Sequence, residues 1–160
     1  MRNNPYFAIC AAVTFTLLGA TRELGAQQTV TGNGFGVFGP AVTETIELPG
    51  GATVQRTANR GFIVTPDPDN PLNGANQKCT NTNLVAADGS VSSAGYCDGI
   101  DSDGDVYWLW GRGNQDGGTW AFIGGTGKFE GIDGGGTYSV GDGWPDGSII
   151  NTWEGTWTMQ

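Results

Sequence analysis

The chain has no histidine, and only seven lysines and arginines stand against sixteen aspartates and glutamates in 160 residues. Without imidazole there is no Ser-His or Cys-His couple and no His-based zinc site, and no nucleophile elbow occurs, so hydrolase chemistry of these familiar kinds has no support. From residue 27 onward five basic groups (Arg56, Arg60, Lys78, Arg112, Lys128) face fifteen acidic ones, a net charge near −10. A chain so acidic overall lacks the electrostatic footprint of a nucleic-acid binder and is disfavoured at anionic membrane surfaces. Long apolar runs are also missing. The longest, over residues 7–18, falls short of the roughly 20 apolar residues needed to span a bilayer.

That run follows a basic start at Arg2 and precedes small residues at Ala20 and Ala26, the layout of a secretory signal peptide. Cleavage after Ala26 is preferred over Ala20, leaving a mature chain from Gln27 and an extracellular or periplasmic protein without a transmembrane anchor. The remaining 27–160 segment suffices for one domain with a single core. Cysteine is scarce: Cys10 lies in the signal core, and Cys79 and Cys97 are left. An even pair in an exported chain reads as a disulfide rather than as reactive thiols, and two thiolates alone do not complete a zinc site.

What is abundant is glycine, at 29 residues, together with six tryptophans. Over 106–112, Val106, Trp108 and Trp110 alternate with Tyr107 and Leu109, the pattern of a strand buried on both sides. At the C-terminus Trp153, Gly155, Trp157 and Met159 share a face opposite Thr152, Glu154, Thr156 and Thr158. Residues 119–123 and 136–140 read as further strands, and 41–48, 52–56 and 61–65 as weaker ones, with Pro49-Gly50-Gly51 as a turn. Asp-Gly dipeptides at 88, 103, 116 and 146 punctuate the strands as tight turns. The 66–76 stretch, with its prolines, predicts a surface loop. Many short strands and no helical stripe predict an all-β sandwich or small antiparallel barrel, and the glycine content favours the barrel.

Residues 117–134, and above all Gly124-Gly125-Thr126-Gly127-Lys128-Phe129 with Gly131 and Gly134 following, resemble the signature of the allene oxide cyclase and dirigent superfamily. The resemblance extends over 79–158 to exported bacterial proteins of the same barrel class without settled activity. It implies an antiparallel barrel of about eight strands, often trimeric, with a central cavity, and gives the glycine motif a structural role with Phe129 packed beneath it. It also implies two chemistries, cyclisation of an unsaturated fatty-acid epoxide and steering of phenoxy-radical coupling. No catalytic residue of either aligns outside the motif.

Three groups of residues are candidate sites. Asp101, Asp103 and Asp105 resemble the start of a calcium loop, the one cation for which the chain shows a pattern. The EF-hand register fails at Val106 and Arg112, where glycine and glutamate are required, and a plain acidic turn is the simpler reading. Trp108, Trp110 and Trp144 are candidate ligand-binding aromatics, set against core packing. Glu154 is the candidate catalytic acid if its strand face lines the barrel, and a surface carboxylate if it does not. The expected function is therefore an exported barrel that binds a small apolar or aromatic ligand or acts as a surface interaction module. The alternatives are a cyclase-like or dirigent-like enzyme, and a carbohydrate-binding or assembly protein using exposed tryptophans.

Overall fold

The computed structural model describes residues 27–160, so the expected signal segment, 1–26, lies outside the described residues. The described residues form nine strands: β1 (Gln28–Phe38), β2 (Val42–Glu47), β3 (Thr53–Val64), β4 (Asn76–Val85), β5 (Val91–Ile100), β6 (Val106–Gly113), β7 (Gly117–Gly125), β8 (Asp133–Gly143) and β9 (Ile149–Met159). A single 3-10 turn, Gly127–Phe129, interrupts them. All pairings are antiparallel in the order β1-β9-β8-β7-β6-β5-β4-β3, and β1 pairs again with β3 through Phe35–Val64 to Phe38–Gly61, closing an eight-stranded barrel. Strand β2 lies outside the ring, paired to the first half of β3.

The expected barrel is thus present, with differences that have physical reasons. The stretches 52–56 and 61–65 belong to one strand, β3, because the polar residues between them continue the ladder with β4 from Thr53–Val85 to Phe62–Asn76. The 66–76 loop is not merely a surface loop. Leu72 and Ala75 are buried in the core, and the Ile63 N–H donates to the Ala75 carbonyl at 3.0 Å, so the loop plugs one end of the barrel. Strand β1 accommodates it with glycines at 32, 34 and 36 between the inward Val30 and Phe38: a methyl at Gly32 would overlap the Asn70 amide of the loop.

At this closed end the core is aromatic. Tyr107, Trp120, Phe122, Phe129 and Trp157 are buried, with Phe129 edge-on to Tyr107 at 5.2 Å and Phe122 edge-on to Trp120 at 5.3 Å. Burying side chains of this size supplies most of the apolar stabilisation of a small barrel. The glycine motif sits here: Gly127 takes the left-handed φ of +54°, and Phe129 turns fully inward beneath it. The opposite end, where the β4–β5, β6–β7 and β8–β9 turns lie, is open.

Candidate functional site: an uncharged cavity in the barrel

Above the aromatic plug the barrel encloses a cavity of about 370 Å³. Its two walls differ. Strands β6 to β9 contribute Tyr107, Leu109, Trp120, Tyr138 and Trp153, an aromatic wall in which Trp120 and Trp153 meet edge-on at 6.1 Å. Strands β3 and β4 contribute Asn59, Gln77, Asn81 and Asn83, an amide wall, and Asn151 adds another amide from β9. The period of two explains the second wall: Gln77, Cys79, Asn81 and Asn83 alternate with outward Lys78, Thr80 and Thr82.

No carboxylate or cation lines this space. Its titratable groups are two phenols. Burial, with Asp101 and Asp98 adding to it, pushes Tyr107 far above its ordinary value, and burial raises Tyr138, so both stay neutral. Three residues of the lining, Asn59, Asn151 and Trp153, each carry a buried polar atom (Oδ1, Oδ1 and Nε1) with no hydrogen-bond partner among the described residues. Unsatisfied buried groups are costly, so these three are the polar groups of the wall that stand to gain from a partner the described residues do not supply.

The disulfide between Cys79 and Cys97 is formed and lies on the cavity wall, joining directly opposed residues of β4 and β5. Gln77 Nε2 donates to Cys79 Sγ at 3.5 Å.

The residues singled out from the sequence are not brought together, and most lie away from the cavity. Trp108 and Trp110 point outward on β6, because Tyr107, Leu109 and Gly111 take the inner face; a methyl on inward Gly99 would overlap the Tyr107 ring that occupies its place. Trp144 is exposed in the turn before β9. Glu154 is exposed on the outer face of β9, since Trp153 and Trp157 claim the inside, and it accepts a 3.4 Å hydrogen bond from Thr137 Oγ1. It does not reach the cavity.

Asp101, Asp103 and Asp105 do converge, at the closed end, but on a protein cation. The Lys128 ammonium lies 2.7 Å from Asp101 Oδ2 and 3.0 Å from Asp103 Oδ2, while Asp105 Oδ2 accepts the Lys128 backbone N–H at 3.1 Å. Asp101 Oδ1 also accepts the backbone N–H groups of Asp103 and Asp105. The three carboxylates thereby tie the β5–β6 turn to the glycine motif.

Sequence reasoning did not single out the amide wall, and the tryptophans it named as ligand-binding candidates, Trp108, Trp110 and Trp144, lie outside the cavity. The usable signal was the disulfide: two cysteines paired in a barrel tend to face inward, which assigns Gln77, Asn81 and Asn83 to the same side as Cys79.

The closed eight-stranded ring with its plugged end and cavity is an all-β barrel of dirigent-like fold. Two solved dirigent structures share it. The pterocarpan synthase dirigent protein PsPTS1 superposes with a TM-score of 0.54 at 12% identity, over 82% of this chain and 96% of that one. The pterocarpan synthase dirigent protein GePTS1 superposes with a TM-score of 0.53 at 13% identity, over 84% and 86%. At such identity the likeness is one of fold. No family model and no curated protein matches the sequence.

Proposed function

We propose that this protein is an exported binding protein that takes a small, uncharged, aromatic or apolar molecule into the barrel, orienting it between the aromatic and amide walls. The observation that supports this reading is the combination of an uncharged lining with three unpartnered polar atoms, in a protein whose carboxylates otherwise cover its surface. An apolar pocket with a few convergent polar groups is the usual form of a small-molecule site. The fold likeness supports a second reading, dirigent-like steering of a reaction within the cavity, because orientation needs shape and neutral hydrogen bonds rather than an acid or base. Export rests on the N-terminal signal pattern and agrees with the disulfide.

The homotrimer implied by the family resemblance has support from the outer surface. Phe35, Val37, Phe62 and Val64 are all exposed, and they pair across the β1–β3 seam as Phe35–Val64 and Val37–Phe62. Phe62→Glu is expected to shift the mature protein to monomer in light scattering.

Titration with the uncharged dye N-phenyl-1-naphthylamine tests the binding reading. One saturable site is expected, and Asn151→Asp, which brings a charge into the cavity, should abolish it. Equal dye binding by the variant would sink the cavity assignment. Recovery of a bound substrate analogue chemically changed would favour the steering reading.

A further inference from the structure

Four of the five basic residues among the described residues lie on one outer face. In the register of β3 to β6, Arg56–Thr82–Ala94–Arg112 forms one cross-strand row, Ala58–Thr80–Tyr96–Trp110 the next, and Arg60–Lys78–Asp98–Trp108 the third. All of these side chains point away from the cavity, since the intervening Thr57, Asn59, Cys79, Asn81, Cys97, Leu109 and Gly111 line it. Tyr96 is 67% exposed and Trp108 42%. The Arg112 guanidinium stacks on Trp110 at 5.4 Å from the ring centre. The fifth cation, Lys128, is engaged at the closed end.

We propose that this face binds an acidic polysaccharide, a chain of uronate sugars carrying one carboxylate per ring, independently of the cavity. Charge complementarity carries the inference. Over residues 27–160, with a net charge near −10, the free cations are gathered beside the exposed rings of Tyr96 and Trp108, and among the described residues Arg60, Lys78 and Arg112 make no ion pair. Two carboxylates temper the patch: Glu44 lies 3.9 Å from Arg56, and Asp98 sits beside Lys78 in the third row. A sugar ring offers an apolar C–H face that packs on Tyr96 or Trp108, and its carboxylate meets guanidinium or ammonium at the side. The patch spans about 14 Å across the four strands and about 13 Å along β3 from Arg56 to Arg60, room for a short oligosaccharide.

Other occupants fit less well. A second copy of the same face would set cations against cations, while the aliphatic and phenylalanine surface suited to self-association lies on β1 and β3. Nucleic acid carries a charge about every 1.7 Å of duplex, far denser than these spaced cations, whereas a uronate chain carries one charge per sugar ring.

The test is titration of the mature, disulfide-intact protein with an oligogalacturonate, read by tryptophan fluorescence at 50 and 200 mM NaCl. Saturable binding that weakens severalfold with salt is expected. The outward double variant Arg60→Gln, Lys78→Gln should lose about tenfold in affinity, the size of two exposed charge pairs. Trp108→Ala should lose as much with a smaller salt effect, and Asp142→Asn on β8 should change nothing. Thermal melts of each variant separate lost binding from lost folding, and the conservative glutamine variant is the one that must fold. No binding, equal binding of a neutral glucan, an unaffected double variant, or tighter binding of a single-stranded oligonucleotide would each overturn the proposal.

Discussion

The Lys128 ammonium closes on the Asp101 carboxylate at 2.7 Å, with the Asp101 side chain only 3% exposed. Burial alone would raise the Asp101 carboxyl, but the hydrogen bond from Lys128 and those from the backbone of Asp105 and Asp103 outweigh it and hold the group below its ordinary 3.8. A depressed folded value means that this stabilisation is present above that pH and is lost as pH falls through the folded value. The thermal midpoint should therefore drop on acidification below about pH 4. Lys128→Met leaves a buried carboxylate without its partner and should cost about 1–2 kcal/mol, the lower end applying because the ammonium is partly wet. Melting curves from pH 3 to 7, in which the variant loses the acid step, would check both parts.

The same ammonium sets the expected response to calcium. Asp101, Asp103 and Asp105 are held around a protein cation, so millimolar calcium should leave the melting temperature of the unaltered protein in place. Lys128→Ala removes that cation from the three carboxylates, whose mutual repulsion then favours a hard metal ion. Its melting temperature is expected to rise on adding calcium and not on adding an equal ionic strength of sodium chloride. A calcium response in the unaltered protein would show that Lys128 gives way.

The strands legible in the sequence are β6, β7, β8 and β9, and more weakly β2 and β3, with the alternation of large side chains clearest in β6 and β9. Strands β1, β4 and β5 were not, because their inner faces are glycine, amide or cysteine, as in Gly32, Gly34 and Gly36 or Gln77, Asn81 and Asn83. Such residues carry no hydrophobic period; they become strands because their neighbours pair with them. The faces of β6 were ambiguous for a related reason. Tyr107 and Leu109 are as apolar as Trp108 and Trp110, and the choice between them falls to Gly99 on β5, whose missing side chain makes room for Tyr107. The cavity therefore became visible only when the strands were assembled, whereas the glycine motif, a local turn with a buried Phe129, could be read directly.

The disulfide offers a stability measurement with a functional consequence. Closing the 18-residue separation between Cys79 and Cys97 should stabilise the mature protein by about 3 kcal/mol in the chain-entropy account. The Cys79→Ala, Cys97→Ala double variant should melt correspondingly lower, and reductant should have no further effect on it. Because both sulfurs are on the cavity wall, the variant's dye affinity should change as well. A variant with unaltered dye affinity would place the bound molecule away from β4 and β5.

Asn151 separates the needs of the empty barrel from those of binding. The residue lines the cavity and its buried Oδ1 has no partner among the described residues, so in the unliganded state it costs stability that an apolar side chain would not. Asn151→Leu fits into open cavity space and should stabilise the unliganded protein, by about 1 kcal/mol. The same change deletes the acceptor offered to a ligand hydroxyl. Affinity for a phenolic ligand such as 2-naphthol should then fall about tenfold, while that for naphthalene is kept. Calorimetric melts and competition against the dye measure the two effects in one preparation. If Asn151→Leu melts lower and binds both compounds equally, the amide is there for the fold, and the hydrogen-bonding half of the binding proposal fails while the apolar half stands.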